Sequence, residues 1–265
     1  HGLRKALQSS SMGSTGLLDE SFRVPRRSRK SHDDEPNNDD FEEGFEDEVF
    51  DDDSFEEGNA PVGLPVRPHE QLLIDVIPEL EATRVVCTTA GRAQFAETYA
   101  RERPEAKVAC FFLDLYQKNQ SEFQVFDHGP AQNLRLVCKP DLPDGEFDLA
   151  AFVFRKGGDA ELTRDLMQQG HQRLVDGGRM ICSTDNDEDQ WLHERLQDLF
   201  PKVTRRPFKK VGTLYLATKS GPLKKLKNYD DEFAFRDEGR LIRVFSRPGV
   251  FSHRRIDLGA RTLIK

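Results

Sequence analysis

The sequence predicts an α/β fold: a mostly parallel sheet with helices on both faces, preceded by a segment of different character. Three observations predict it. From residue 69 onward, short β-branched and aromatic runs alternate with amphipathic stretches, the pattern of a sheet covered by helices. The last two strand-like runs before residue 220 follow each other with no helix between them. Residues 33–57 hold 15 Asp or Glu and no Lys or Arg, too polar a composition to bury a core.

Taken in order, residues 1–31 are Ser- and Arg-rich and residues 32–60 acidic, so 1–60 is expected to be disordered. Phe41, Phe45, Phe50 and Phe55 recur through the acidic block. Two readings stand: a solvated tail, or a partner-binding strip that orders on contact. A proline-rich hinge (Pro61, Pro65, Pro68) leads to HEQLLIDVIPEL, a helix or extended lead-in. TRVVCTT is the first strand. AGRAQFAETYARERP is a helix with Phe95, Ala96, Tyr99 and Ala100 on one face and Pro104 at its end. KVACFFLDLY is the second strand, with Asp114 near its end, NLRLVCKP the third and FDLAAFVF the fourth. DAELTRDLMQQGHQRL is an amphipathic helix with Leu162, Leu166, Met167 and Leu174 to one side. DGG turns into a fifth strand, RMICST, and DEDQWLHERLQDLF is a further helix. VTRRPFKKVGTLYLATK gives two strands around Val211-Gly212, and DEFAFRDEGRLIRVFSR a hairpin turning at Asp237-Glu238-Gly239. Five parallel-type strands, a helix and a closing strand pair is the plan of the class I methyltransferase, Rossmann-like, fold rather than of a dinucleotide-binding domain with two repeated halves.

Charge divides the chain further. Residues 58–201 carry 15 basic and 24 acidic side chains, whereas residues 202–265 carry 17 basic and 6 acidic. The basic third reads either as the footprint of a polyanion, most simply nucleic acid, or as ordinary surface charge. Cys87, Cys110, Cys138 and Cys182 lie in or beside apolar runs and form no CxxC pair. Reduced, buried thiols are expected, with no disulfide framework and no zinc site. The seven histidines show no ligand spacing, no Ser-His-Asp or Cys-His arrangement is readable, and the Asp51-Asp52-Asp53 run fixes no metal geometry. No apolar stretch reaches the length of a membrane span, and the expected compartment is the cytoplasm.

In open α/β sheets ligands sit beyond the carboxyl ends of the strands. The loop after the first strand, AGRAQ, holds one glycine, Gly91, beside the bulky Arg92 and Gln94. A nucleoside cofactor needs close backbone approach there, which glycines permit. Asp114 is a candidate ribose ligand or a plain surface carboxylate. After the fourth strand, amino-group methyltransferases place an Asn-Pro-Pro-aromatic or Asp-Pro-Pro-aromatic turn whose carbonyls accept bonds from the target amine. This chain has Phe154-Arg155-Lys156-Gly157-Gly158, and Arg and Lys side chains accept no hydrogen bonds. Arg155 and Lys156 are instead candidates for phosphate contact.

The stretch FVFRKGGDAELTRDLMQQGHQRLVDGGRMICSTDND, with Pro248, Gly249, Val250, Phe251, Ser252, Ile256, Asp257 and Gly259 of RVFSRPGVFSHRRIDLGARTLIK, resembles the ribosomal RNA guanine-N2 methyltransferases of the small-subunit methyltransferase C and large-subunit methyltransferase G type. The resemblance covers roughly residues 81–265. It implies a non-catalytic methyltransferase-like half over 61–219, a basic linker over 220–231 and the truncated start of a catalytic half over 232–265. It implies S-adenosyl-L-methionine as the cofactor of the parent protein, not held tightly by this chain, and ribosomal RNA or a ribosomal subunit as partner. No catalytic residue is expected here. Phe251, Asp257 and Gly259 would lie near the cofactor pocket; a core aromatic for Phe251 and a helix cap for Asp257 are the plainer roles. Arg155, Lys156, Lys224, Lys225, Lys227, Arg254, Arg255 and Arg261 are the candidate RNA contacts. The family's glycine-rich loop and Asn-Pro-Pro-aromatic turn do not occur before Lys265, so a catalytic domain of about another 150–200 residues is expected to follow. The alternative is a stand-alone RNA-binding pseudo-methyltransferase. A dinucleotide or nucleotide-sugar enzyme is a third class, disfavoured by the single loop glycine.

Overall fold

The computed structural model describes residues 64–263 apart from 128 and 130. The segment expected to be disordered, with its phenylalanine strip, lies outside the described residues. The element order is α1 (Pro68–Ile74), a short 3-10 turn (Ile77–Glu79), β1 (Arg84–Cys87), α2 (Gln94–Glu102), β2 (Lys107–Phe112), α3 (Leu115–Asp127), β3 (Leu134–Cys138), β4 (Phe147–Phe154), α4 (Ala160–Arg173), β5 (Leu174–Thr184), α5 (Trp191–Gln197), β6 (Val203–Phe208) and β7 (Gly212–Thr218). A separate hairpin, β8 (Asp231–Asp237) and β9 (Arg240–Ser246), and a last helix, α6 (Leu258–Leu263), follow.

The strands β1 to β7 form one sheet in the order β3-β2-β1-β4-β5-β7-β6. Pairing is parallel from β3 through β5, and β7 runs antiparallel to both β5 and β6. Alternation along each strand feeds two cores, one on each face. Val85 and Cys87 join Leu73, Ile77, Phe95 and Tyr99 under α1 and α2. Val86 joins Phe111, Phe152, Met167, Leu196 and Tyr215 under α4 and α5. The central strand β4 is buried on both faces, Leu149 and Ala151 to one side and Ala150 and Phe152 to the other, which explains its continuous apolar run.

Several sequence expectations are corrected. The second strand ends at Phe112 rather than at Tyr116, and the unforeseen α3 begins at Leu115. Helix α4 stops at Arg173, so Leu174 belongs to β5 and not to the helix face. The hairpin turns as expected: Asp237 pairs with Arg240, and the two residues between, Glu238 (φ 45°) and Gly239 (φ 78°), both have positive φ, as a primed turn requires. The lead-in resolves as helix, with Pro68 in its first turn, where a missing N–H costs nothing.

Among the described residues no helix lies between β3 and β4. The connecting residues 139–146 instead cross the sheet face directly. Leu142 is buried among the α4-side core, its N–H bonded to Gln169 Oε1 at 3.0 Å. The four cysteines are free. Among the described residues no helix is long and apolar enough to cross a membrane, and no His/Cys/Asp/Glu group could hold a metal ion.

Gly212 pins the antiparallel end of the sheet. Its φ is +153°, and a Cβ there would collide with the backbone carbonyl oxygen of Thr184. Gly212→Ala is therefore expected to cost about 3 kcal/mol. Urea unfolding should show a lower midpoint at unchanged slope; stability equal to wild type contradicts this packing.

Candidate functional site

The carboxyl ends of β1, β2, β4 and β5 define where this fold type places ligands. The loop after β1, Thr88 to Ala93, is held from within. Glu70, on the first turn of α1, is fully buried and points its carboxylate into the loop. Thr89 Oγ1 lies 2.9 and 3.0 Å from the two Glu70 oxygens, Ala90 N–H donates to Oε2 at 2.9 Å, and Phe95 N–H donates to Oε1 at 3.3 Å. Gly91 N–H and Ala93 N–H donate to Thr89 Oγ1, each at 3.0 Å, and Arg92 N–H donates to Gln94 Oε1 at 2.6 Å. The Gln94 amide in turn donates to Leu64 O at 2.8 Å. Five successive or near-successive amides are thus used inside the chain.

Ala93, the residue before α2, has φ 63° and ψ 29°. That left-handed backbone suits glycine and costs an alanine about 1 kcal/mol. The loop keeps a glycine-type bend with a methyl group on it. Burial pushes the Glu70 carboxyl up, against the opposing pull of Thr89 and the N–H groups of Ala90, Phe95 and Gly91. Beside it, His69 is buried with Nε2 unpartnered; burial lowers its pKa, and nearby Arg155 adds to that against Asp185.

Asp114 is not aimed into a pocket by this arrangement. Its Oδ1 accepts the N–H groups of Tyr116 at 2.7 Å and Gln117 at 3.3 Å, so it caps α3. After β4, Arg155 and Lys156 are exposed. Arg155 Nη2 approaches Ala90 O at 3.5 Å, and the Lys156 N–H is bound by Asp185 Oδ1 at 2.6 Å.

The segment after the hairpin returns to this end of the sheet. Gly249 N–H donates to Asp159 Oδ2 at 3.1 Å. Gly249 has φ +83°, and a Cβ on it would meet Leu162 at 3.1 Å and Leu113 at 3.3 Å. Burial raises the Asp159 carboxyl, but the N–H groups of Leu162, Gly249 and Glu161 outweigh it and hold the pKa below the ordinary value. Arg247 pairs with Asp141 at 2.8 Å and Asp165 at 3.6 Å.

The sequence-derived residues fall into separate groups. Arg254, a candidate phosphate contact, pairs with Glu161 at 3.0 Å and Asp231 at 3.6 Å. Lys227 is partly engaged, with its ammonium 5.0 Å from the Tyr229 ring centroid and its backbone bonded to Gln168 in both directions. Lys224 and Lys225 on the linker, and Arg255 and Arg261 around α6, are exposed. Phe251 is not a core aromatic; it is 83% exposed. It shares an apolar recess of about 330 Å³ with Phe233, Phe235, Phe245, Arg255 and Asp257. Asp257 directly precedes α6, and its Oδ1 lies 3.0 Å from where a Cβ on Gly259 would stand.

No protein-family model matches the sequence, and no curated protein matches it. Solved structures do. The chain is similar to the 16S rRNA N2 methyltransferase RsmC of T. thermophilus, solved in complex with AdoMet and guanosine, at 15% identity and TM-score 0.53 over 78% of this chain and 56% of that chain. It is similar to an O-methyltransferase family protein from Burkholderia thailandensis, at 16% identity and TM-score 0.47 over 57% of this chain and 56% of that one. A third is TrmN from Thermus thermophilus, at 18% identity and TM-score 0.44 over 56% and 47%. The chain spans about half the length of these structures. With the strand order, the likeness establishes the class I methyltransferase fold.

The hydrogen-bonding groups that an S-adenosylmethionine-type cofactor would use in this loop are engaged within the chain. The loop amides already have acceptors, and Glu70 sets a carboxylate where an anionic ligand group would need donors. Glu70→Gln keeps the volume but halves the acceptors, and is expected to cost about 1–3 kcal/mol. The sign with pH follows from the raised pKa: the Glu70 contribution is complete below the ordinary glutamate value and is lost as pH rises through its folded value. Chemical unfolding across that window should show the gap between wild type and Glu70→Gln narrowing as pH rises; a widening gap contradicts this placement.

Proposed function

We propose that this chain is the non-catalytic, RNA-binding half of an S-adenosylmethionine-dependent RNA methyltransferase, a ribosomal RNA guanine-N2 enzyme by the resemblance of its sequence, acting in the cytoplasm. The single observation that carries the non-catalytic reading is the Glu70 carboxylate holding Thr89, Ala90 and Phe95. Arg155 and Lys156 after β4, where acceptors for a target amine are needed, support the same reading.

The T. thermophilus RNA methyltransferase match extends over 78% of the chain, against 57% for the O-methyltransferase family protein. A span of that size needs more than the seven-stranded sheet, and it supports reading the hairpin and the Pro248–Gly259 segment as the opening of a catalytic half. The exposed Phe245 (81%), Phe251 (83%) and Leu258 (75%) form the kind of apolar surface that a further domain covers. The parent reaction assigned here is direct methyl transfer from the cofactor to the exocyclic amine of a guanine in RNA. This chain's share is to bind the RNA and position it. The cations assigned to that contact are Lys224, Lys225, Arg255 and Arg261, with Arg155 and Lys156 beyond β4.

Two titrations test this. Calorimetry of the full chain with S-adenosylmethionine should show no binding, and tight binding overturns the non-catalytic reading. Gel shift with a structured ribosomal RNA fragment should show binding that weakens steeply with salt. Lys224→Glu with Lys225→Glu should weaken it about tenfold; unchanged affinity removes the linker from the interface.

A further inference from the structure

We propose that a recess beyond the carboxyl ends of β4 and β5 takes one unstacked nucleobase of the bound RNA. The inference rests on the RNA-binding reading and goes further by naming the contact. The recess holds about 290 Å³, at the low end of the ~300–1,000 Å³ range of small-molecule sites. That is room for a single ring system.

Its walls suit a flat ring. Phe154 and Leu192, both buried, line the apolar side, and Trp191, 37% exposed, lines it as well. The Arg164 guanidinium lies over the Trp191 ring, 5.4 Å from its centroid, and steadies it by cation–π attraction. Polar groups that can read a base edge converge on the same space. Asn186 uses its Oδ1 on the Glu188 N–H at 3.3 Å. Among the described residues neither its amide NH₂ nor the Thr184 hydroxyl has a partner. An aromatic ring for stacking beside unspent donors and acceptors is how single-stranded RNA bases are held.

The charges at the mouth decide between a base and a phosphate track. Arg155 and Lys156 supply two cations, and among the described residues neither is in an ion pair. Asp189 lines the recess, and Asp185, Asp187 and Glu188 stand beside its lining residues in the sequence. Three of these are tied to the chain: Asp185 by Lys156 N–H at 2.6 Å, Asp187 by Lys210 N–H at 2.7 Å, and Asp189 by Leu192 N–H at 3.0 Å and the Tyr215 hydroxyl at 2.7 Å. Two cations against four carboxylates leave the mouth net negative by two. A run of phosphates gains little here, whereas a base with a single flanking phosphate on Arg155 and Lys156 fits.

Trp191 is the only tryptophan in the chain, so its emission reports on the recess directly. The full chain is titrated with a single-stranded RNA of about ten nucleotides, with an abasic strand of the same length as control. The RNA should quench the emission and the abasic strand should not. Trp191→Ala, checked for folding by circular dichroism, should weaken binding by about tenfold, the scale of one base–aromatic stack. Lys156→Ala keeps the reporter and should shift the quenching curve to higher RNA concentration if the alanine variant does not fold. RNA that binds by gel shift with unchanged emission and an unaffected Trp191→Ala overturns the recess while leaving RNA binding intact. Equal quenching by the abasic strand overturns base recognition. No RNA binding at all overturns both readings.

Discussion

A buried carboxylate organises this structure. Glu70 has no exposed surface, and burial raises its carboxyl's pKa against the pull of the donors around it. Here the donors are the Thr89 hydroxyl and the amides of Ala90 and Phe95, which belong to the loop that gives the class I fold its chemistry in other proteins. One side chain therefore does two things. It ties α1 to the carboxyl end of β1, and it uses the hydrogen-bonding capacity that a ligand would otherwise compete for. The left-handed Ala93 fits the same picture: the bend survives, but a methyl group stands where glycine would leave space.

With the β1 loop closed from inside, the rest of the carboxyl edge takes on other work. The Pro248–Gly249 turn docks on Asp159 and Leu162 at the start of α4, so the hairpin segment is anchored to the domain it follows. Arg247 and Arg254 reinforce that anchor through Asp141 and Glu161. Each pair is partly solvent-exposed and contributes modestly, so the fixed geometry of Gly249 against Leu113 and Leu162 counts for more. Beyond β4 and β5 the edge stays open, and the aromatic and cationic groups gather there.

The sheet was legible in the sequence because local pattern and burial agree. Beyond Asp148 the run from Leu149 to Phe154 is apolar throughout because β4 is covered on both faces, and Glu238-Gly239 supply the positive φ that the hairpin needs. Helix α3 was not legible. Leu115, Tyr116 and Phe123 are 60–67% exposed, so its apolar residues mark no buried stripe, and Asp114 read as a strand end although it caps the helix. The site was less legible than the fold for a related reason. Glu70 lies 19 residues from Thr89 and 25 from Phe95, and Glu161 lies 93 from Arg254. Nothing in the local sequence signals such pairings, so Arg254 read as a free cation and Glu70 as an ordinary helix carboxylate. The missing glycines around Gly91 did signal that the loop was altered, without revealing what fills it.

Amide hydrogen exchange at Ala90 and Phe95 tests the central claim most directly. If Glu70 holds these N–H groups, both are protected in the free chain, and adding S-adenosylmethionine leaves their exchange unchanged. Rapid exchange in the free chain with protection appearing only when the cofactor is added would contradict the account, because it would mean that the loop donates to a ligand and not to its own carboxylate.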